Sequence, residues 1–203
     1  MLLMRPLTLD DLLPLEEYAP RRREFFTTLE RYLDRYRRVR VGPRVTLLFE
    51  NRQTLWFRVQ ELLRVARLAD PPRVQQELDV YNRLLPTRDV LQAALLIDAT
   101  DEGRRAEDQA AWRSLRGEDV RIKLGDESIP AELLTDRAED LSIGTAHWLR
   151  FRVDAPTRNQ IADPGCPATV ELRPPHYRYV SLPLSGDLRQ SLFEDLQLSD
   201  RDG

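Results

Sequence analysis

Apolar side chains recur every three or four residues between Arg21 and Arg38, and from Val39 onward the repeat drops to two. That change of period constrains the fold more than any single motif, because an amphipathic helix and a half-buried strand cannot share one repeat. Phe25, Leu29, Tyr32, Leu33 and Tyr36 make one helical stripe opposite a charged face. The alternating Arg-Val-Arg-Val, a Gly42-Pro43 turn and Val45 to Phe49 then predict a β-hairpin. Thr8 is placed to cap a short helix ahead of Pro14, and a helix is expected to start afresh after Pro20. Asn51 caps a second long helix to about Ala69, and Pro71-Pro72 restarts it until Pro86.

Strands dominate the second half. Val90 to Ala99, Val120 to Leu124 with a return at Ser128 to Ala131, residues 145 to 153, and Ala168 to Leu172 all carry strand patterns. Helices are expected at 101 to 115, Pro156 to Ile161 and Ser185 to Leu196, followed by a frayed tail at 197 to 203. Early helices and late antiparallel strands, with no repeat or linker, predict a single α+β domain over residues 1–203: an antiparallel sheet flanked by helices, helix-rich in its N-terminal half.

Composition excludes several chemistries. No run approaches the ~18 apolar residues of a spanning helix, and Met1 to Met4 is too short a segment before Arg5 and Pro6 to serve as a signal-peptide core, so a cytoplasmic protein is expected. Cys166 is the single thiol, which rules out an internal disulfide or a thiolate metal cluster, and its Pro-Gly-Cys-Pro setting reads as a tight turn. No P-loop, Gly-x-Gly-x-x-Gly, Gly-x-Ser-x-Gly or His-Glu-x-x-His is present. Thirty of the 31 basic residues are arginine, Lys123 being the exception. Nine arginines fall between residues 20 and 44, but acidic residues are interleaved and most of the neighbouring aromatics lie on the inward stripe. This argues against a nucleic-acid partner and for a solvated or docking face.

The two histidines and one polar cluster are the candidate site. Strand alternation puts His147 on the face of Leu149, Phe151 and Val153, turned inward, where an imidazole serves either as a hydrogen-bonded structural residue or as a general base or metal ligand. His176 follows Pro174-Pro175 in a stiff loop. Glu50, Asn51 and Arg52 sit where a strand gives way to a helix N-terminus, a place that suits anion recognition as well as ordinary capping. One reading joins these five residues in a polar ligand pocket. A second is a metal-dependent enzyme in which His147, His176 and Glu50 supply a two-His, one-carboxylate site for iron or manganese.

The chain resembles a bacterial family of unknown function, the DUF3501-like proteins. The resemblance rests on Leu7-Thr-Leu-Asp-Asp-Leu-Leu-Pro-Leu-Glu-Glu-Tyr18, on Thr46-Leu-Leu-Phe-Glu-Asn-Arg52 with Gln60-Glu61, and on Glu77-Leu-Asp-Val-Tyr-Asn82 with Pro86. It continues through Ala146-His-Trp-Leu-Arg-Phe151 and Pro175-His-Tyr177. What it implies is a redox or peroxide-defence setting with rubrerythrin-like or iron-sulfur redox proteins as partners. It brings no established activity or catalytic residue.

Overall fold

The computed structural model describes residues 5–98, 112, 114–134 and 147–198. Thr8 caps a single 3-10 turn, Leu9–Asp11, its amide and hydroxyl both donating to Asp11 Oδ2 (2.8 and 3.0 Å). Helix α1 (Leu15–Tyr36) runs through Pro20 instead of starting after it. Pro20 and Glu16 are both exposed, so the carbonyl that loses its amide donor faces water. The expected hairpin forms as β1 (Arg38–Val41) and β2 (Val45–Phe49), joined through Gly42 at φ 70°. Helix α2 (Arg52–Ala66) follows the Asn51 cap, and α3 (Pro71–Asn82) starts on Asp70 with prolines in its first turn.

Strand β3 (Val90–Ile97) precedes the expected helix at 101 to 115, most of which lies outside the described residues. Then come β4 (Val120–Leu124), β5 (Glu127–Leu133), β6 (His147–Arg152), α4 (Ala155–Ala162), β7 (Ala168–Leu172), β8 (Tyr179–Val180) and α5 (Gly186–Leu198). Helix α5 takes in the start of the expected frayed tail, and residues 199–203 lie outside the described residues.

All eight strands among the described residues belong to one antiparallel sheet in the order β1-β2-β3-β6-β5-β4-β7-β8. The sheet curls until its two edges face one another across a seam. There the Tyr177 hydroxyl donates to Val41 O (2.8 Å) and accepts from the Arg44 amide (3.0 Å). Alternate residues from seven strands, among them Val41, Leu47, Ala93, Phe151, Ile129, Ile122 and Val170, form a single apolar cluster inside the curl. Eight strands leave an interior about wide enough for side chains to fill. At the β1 N-terminal end that filling is completed by Leu188, Leu192 and Leu196 of α5 and Ile161 of α4. The expectation of an α+β domain with an antiparallel sheet flanked by helices is corrected accordingly: the sheet is a nearly closed barrel whose core is its own interior. Helices α2 and α3 cover part of its outer surface, where Leu55, Val59, Val74 and Leu78 pack with Ala94 and Trp148.

Candidate functional site

The barrel wall separates residues that the sequence groups together. Val45, Leu47 and Phe49 point into the barrel, so Glu50 continues the outward series of Thr46 and Leu48. His147 lies opposite Leu95 in the β3–β6 register and therefore takes the inward face, half-buried at the barrel end that carries the β1–β2 turn. His176 is exposed in the β7–β8 turn at that same end, its ring edge-on to Trp112 at 5.0 Å. The two histidines thus share a barrel end, whereas Glu50 lies on the other side of the sheet.

Each member of the polar trio also has its own task. Glu50 is 1% exposed and accepts from Arg58 Nε and Nη2 (2.9 and 2.6 Å) and from the Thr54 hydroxyl. Arg58 in turn lies over the Trp148 ring at 5.1 Å, and the buried carboxylate outweighs desolvation to hold the guanidinium's pKa above its ordinary value. Asn51 caps α2 through the Gln53 and Thr54 amides (both 3.1 Å) and donates to the Tyr32 hydroxyl (2.7 Å). Arg52 pairs with Asp11 (2.7 Å) and donates to Arg5 O (3.0 Å). Neither the five-residue pocket nor the two-His, one-carboxylate set is brought together. Among the described residues, no group of three or more His, Cys, Asp or Glu converges.

The site that does form lies where the N-terminal segment crosses α2 and α3. Four side chains tie that segment down. Asn82 makes a two-way pair with the Leu7 backbone (2.8 and 2.9 Å), Trp56 Nε1 donates to Asp11 O (2.8 Å), Gln60 Nε2 donates to Leu13 O (3.2 Å), and Arg52 holds Asp11. Burial alone would raise the Asp11 carboxyl, but the Thr8 amide and Arg52 hold it down at about 2. Farther along α2, Glu61 accepts from Tyr18 (2.8 Å), Arg22 (2.8 to 3.0 Å) and Arg64 (3.1 Å). Those donors overcome burial and lower its pKa to about 2, while burial and Glu61 together push the Tyr18 phenol up.

These ties frame a cleft of about 340 Å³ lined by Leu9, Leu12, Leu13, Leu63, Leu68 and Val74, with Glu16, Tyr18 and Gln60 in its wall. Gln60 is 2% exposed, and its carbonyl Oε1 has no hydrogen-bond partner. A buried, unsatisfied acceptor costs about 1–3 kcal/mol, and a concave, mostly apolar wall with a few polar side chains is the usual composition of a small-molecule site. The sequence carries a trace of this: Trp56, Gln60 and Leu63 fall on one stripe of α2, so an amide interrupts an apolar face. A second buried network, in which Arg37 pairs with Asp195 and donates to Ser191 Oγ (2.7 Å) and Tyr32 Oη (3.0 Å), joins α5 to the β1 end of the barrel.

With this geometry in place, the comparisons with known proteins are brief. The sequence profile of a family described as protein of unknown function, DUF3501, matches residues 6–196, and the chain belongs to that family. The crystal structure of a novel protein of unknown function from Burkholderia pseudomallei K96243 superposes with a TM-score of 0.84 at 30% identity, covering 95% of this chain and 100% of that one. No curated protein matches. No described helix is long and apolar enough to cross a membrane.

Proposed function

We propose that this member of the DUF3501 family is a cytoplasmic accessory protein that binds an apolar small molecule carrying one hydrogen-bond donor in the leucine-lined cleft at the N-terminal ends of α1 and α3. One observation carries the reading: Gln60, 2% exposed and with its carbonyl unpartnered, stands in the wall of a mostly apolar cleft whose other polar side chains are Glu16 and Tyr18. A ligand O–H or N–H there satisfies an acceptor that would otherwise stay unpaired, and its apolar body gains roughly 25 cal/mol for each Å² removed from water. The redox and peroxide-defence setting, with rubrerythrin-like or iron-sulfur partners, rests on the family resemblance and is proposed on that basis.

The test uses two probes of nearly equal shape. 1-Octanol can donate to Gln60, whereas heptyl methyl ether has the same apolar length and no donor. Thermal stabilisation by the alcohol well above that by the ether, with the difference abolished in Gln60→Leu, is the expected result. Equal responses to both probes, or none to either, would remove the cleft as a ligand site. The redox setting is checked separately by the survival of cells lacking the gene under hydrogen peroxide, where unimpaired survival counts against it.

A further inference from the structure

A second cleft, unrelated to the first, opens on the outer face of the barrel beside the β1–β2 turn. It measures about 350 Å³ and is lined by Arg38, Arg40, Arg44, Thr46, Leu96 and Asp98. Strand geometry explains why arginines gather there. Val39 and Val41 are buried in the barrel, so Arg38 and Arg40 both project outward from the same four-residue strand. The register sets Arg40 opposite Thr46 and Thr46 opposite Leu96, which continues the same outer face across three strands. Arg44 enters from the turn, its carbonyl accepting the Asp98 amide (2.8 Å) and its guanidinium lying 5.9 Å from the centre of the Tyr177 ring.

The arginines of α1 and β1 are not equivalent. Arg21, Arg22, Arg35 and Arg37 are held against Glu24, Glu61, Asp187 and Asp195, and Arg38 is held by Asp34 on α1. Arg40 is exposed and has no carboxylate partner among the described residues. Arg38, Arg40 and Arg44 all line one concavity, where Asp98 is the one acid among the described lining residues. An anion in the cleft pairs with the Arg40 guanidinium, whose planar N–H fork matches phosphate oxygens two at a time. The Thr46 hydroxyl adds a neutral donor, and Leu96, 38% exposed, offers an apolar floor.

We infer that this cleft binds a phosphate-bearing small molecule, with the Arg40 guanidinium as its principal anchor. The site is independent of the Gln60 cleft, so either can fail without the other.

Inorganic pyrophosphate is the probe, titrated against the full chain and followed by thermal shift and calorimetry. Wild type is expected to show saturable binding, weakened roughly tenfold in Arg40→Gln and partly retained in Arg40→Lys, which keeps the charge but loses the fork. Gln60→Leu is expected to bind pyrophosphate as wild type does. Arg40 is exposed, so its replacement leaves the core intact, and circular dichroism confirms this for each variant. Absence of saturable binding, equal stabilisation by sulfate at matched ionic strength, or unchanged affinity in Arg40→Gln would each overturn the assignment. Saturable binding of a single-stranded oligonucleotide in the absence of any for pyrophosphate would replace it with a nucleic-acid surface.

Discussion

Asn51 and Asp195 show how differently two polar residues can be read. Asn51 stands at a strand-to-helix junction that suits both anion recognition and capping, and its side chain is fully engaged in capping and in Tyr32. Residue type and position are the same for the two roles, so only the partner distinguishes them. Asn51→Ala is expected to cost about 1–2 kcal/mol in urea unfolding, with Asn51→Asp close to wild type. Asp195 had no signal at all, because its partner Arg37 lies 158 residues away in sequence. Both side chains are almost wholly buried, and burial pushes the Asp195 carboxyl up against the pull of Arg37. Removing one charge strands the other, so Asp195→Leu is expected to destabilise by about 3–5 kcal/mol. Adding Arg37→Met should recover most of that loss, since an apolar pair no longer carries a desolvated charge. A double variant no more stable than Asp195→Leu alone would show that the network, and not the stranded charge, sets the cost.

At the scale of elements, the informative comparison is between His176 and its neighbour. The Pro174-Pro175-His176-Tyr177 segment is expected to present an imidazole, yet the buried ring is Tyr177, which is 3% exposed. Its hydroxyl joins the β7–β8 turn to the end of β1, and this seam is what turns a sheet into a nearly closed barrel. Period-two alternation locates β4 and β7 residue for residue but is silent on a tyrosine whose partners are backbone atoms over 130 positions away. Tyr177→Phe keeps the ring and removes both hydrogen bonds, so a loss of about 1–3 kcal/mol is expected. Amide exchange should accelerate first at Arg44, whose N–H would lose its acceptor. Gly42 guards the same seam. A Cβ there would fall 2.5 Å from the Tyr177 hydroxyl and 2.5 Å from the Tyr179 ring, at a φ of +70° that side chains rarely adopt. Gly42→Ala is therefore expected to destabilise more than Tyr177→Phe does, by the combined backbone strain and clash.

For the whole molecule, hydrophobic period conveys which side chains share a face and where helices give way to strands, and the helix-rich start and strand-rich end were legible for that reason. Whether the last strand meets the first depends on twist, register and a few long-range contacts that leave no local pattern, so the closed interior and its α5 plug were not legible. The wall created by closure is also what separates Glu50 from His147. The N-terminal segment is attached to this body from outside, and its attachment depends on acids. Asp11 and Glu61 are both held at about 2 in the folded protein, against ordinary values of 3.8 and 4.5. A carboxylate whose folded pKa is depressed binds fewer protons in the native state than in the unfolded chain. Its contribution is thus complete above the unfolded pKa and is lost as pH falls toward the folded one. With partial solvent screening taken into account, each group contributes roughly 1–2 kcal/mol. Urea midpoints should then be level above about pH 5 and fall steeply between about pH 4 and pH 2. Glu61→Gln should be less stable than wild type at neutral pH and show a shallower acid limb, the two curves converging at the lowest pH. Parallel curves would mean that Glu61 is not the group being titrated. Because the same ties frame the Gln60 cleft, 1-octanol binding should weaken over that acid range.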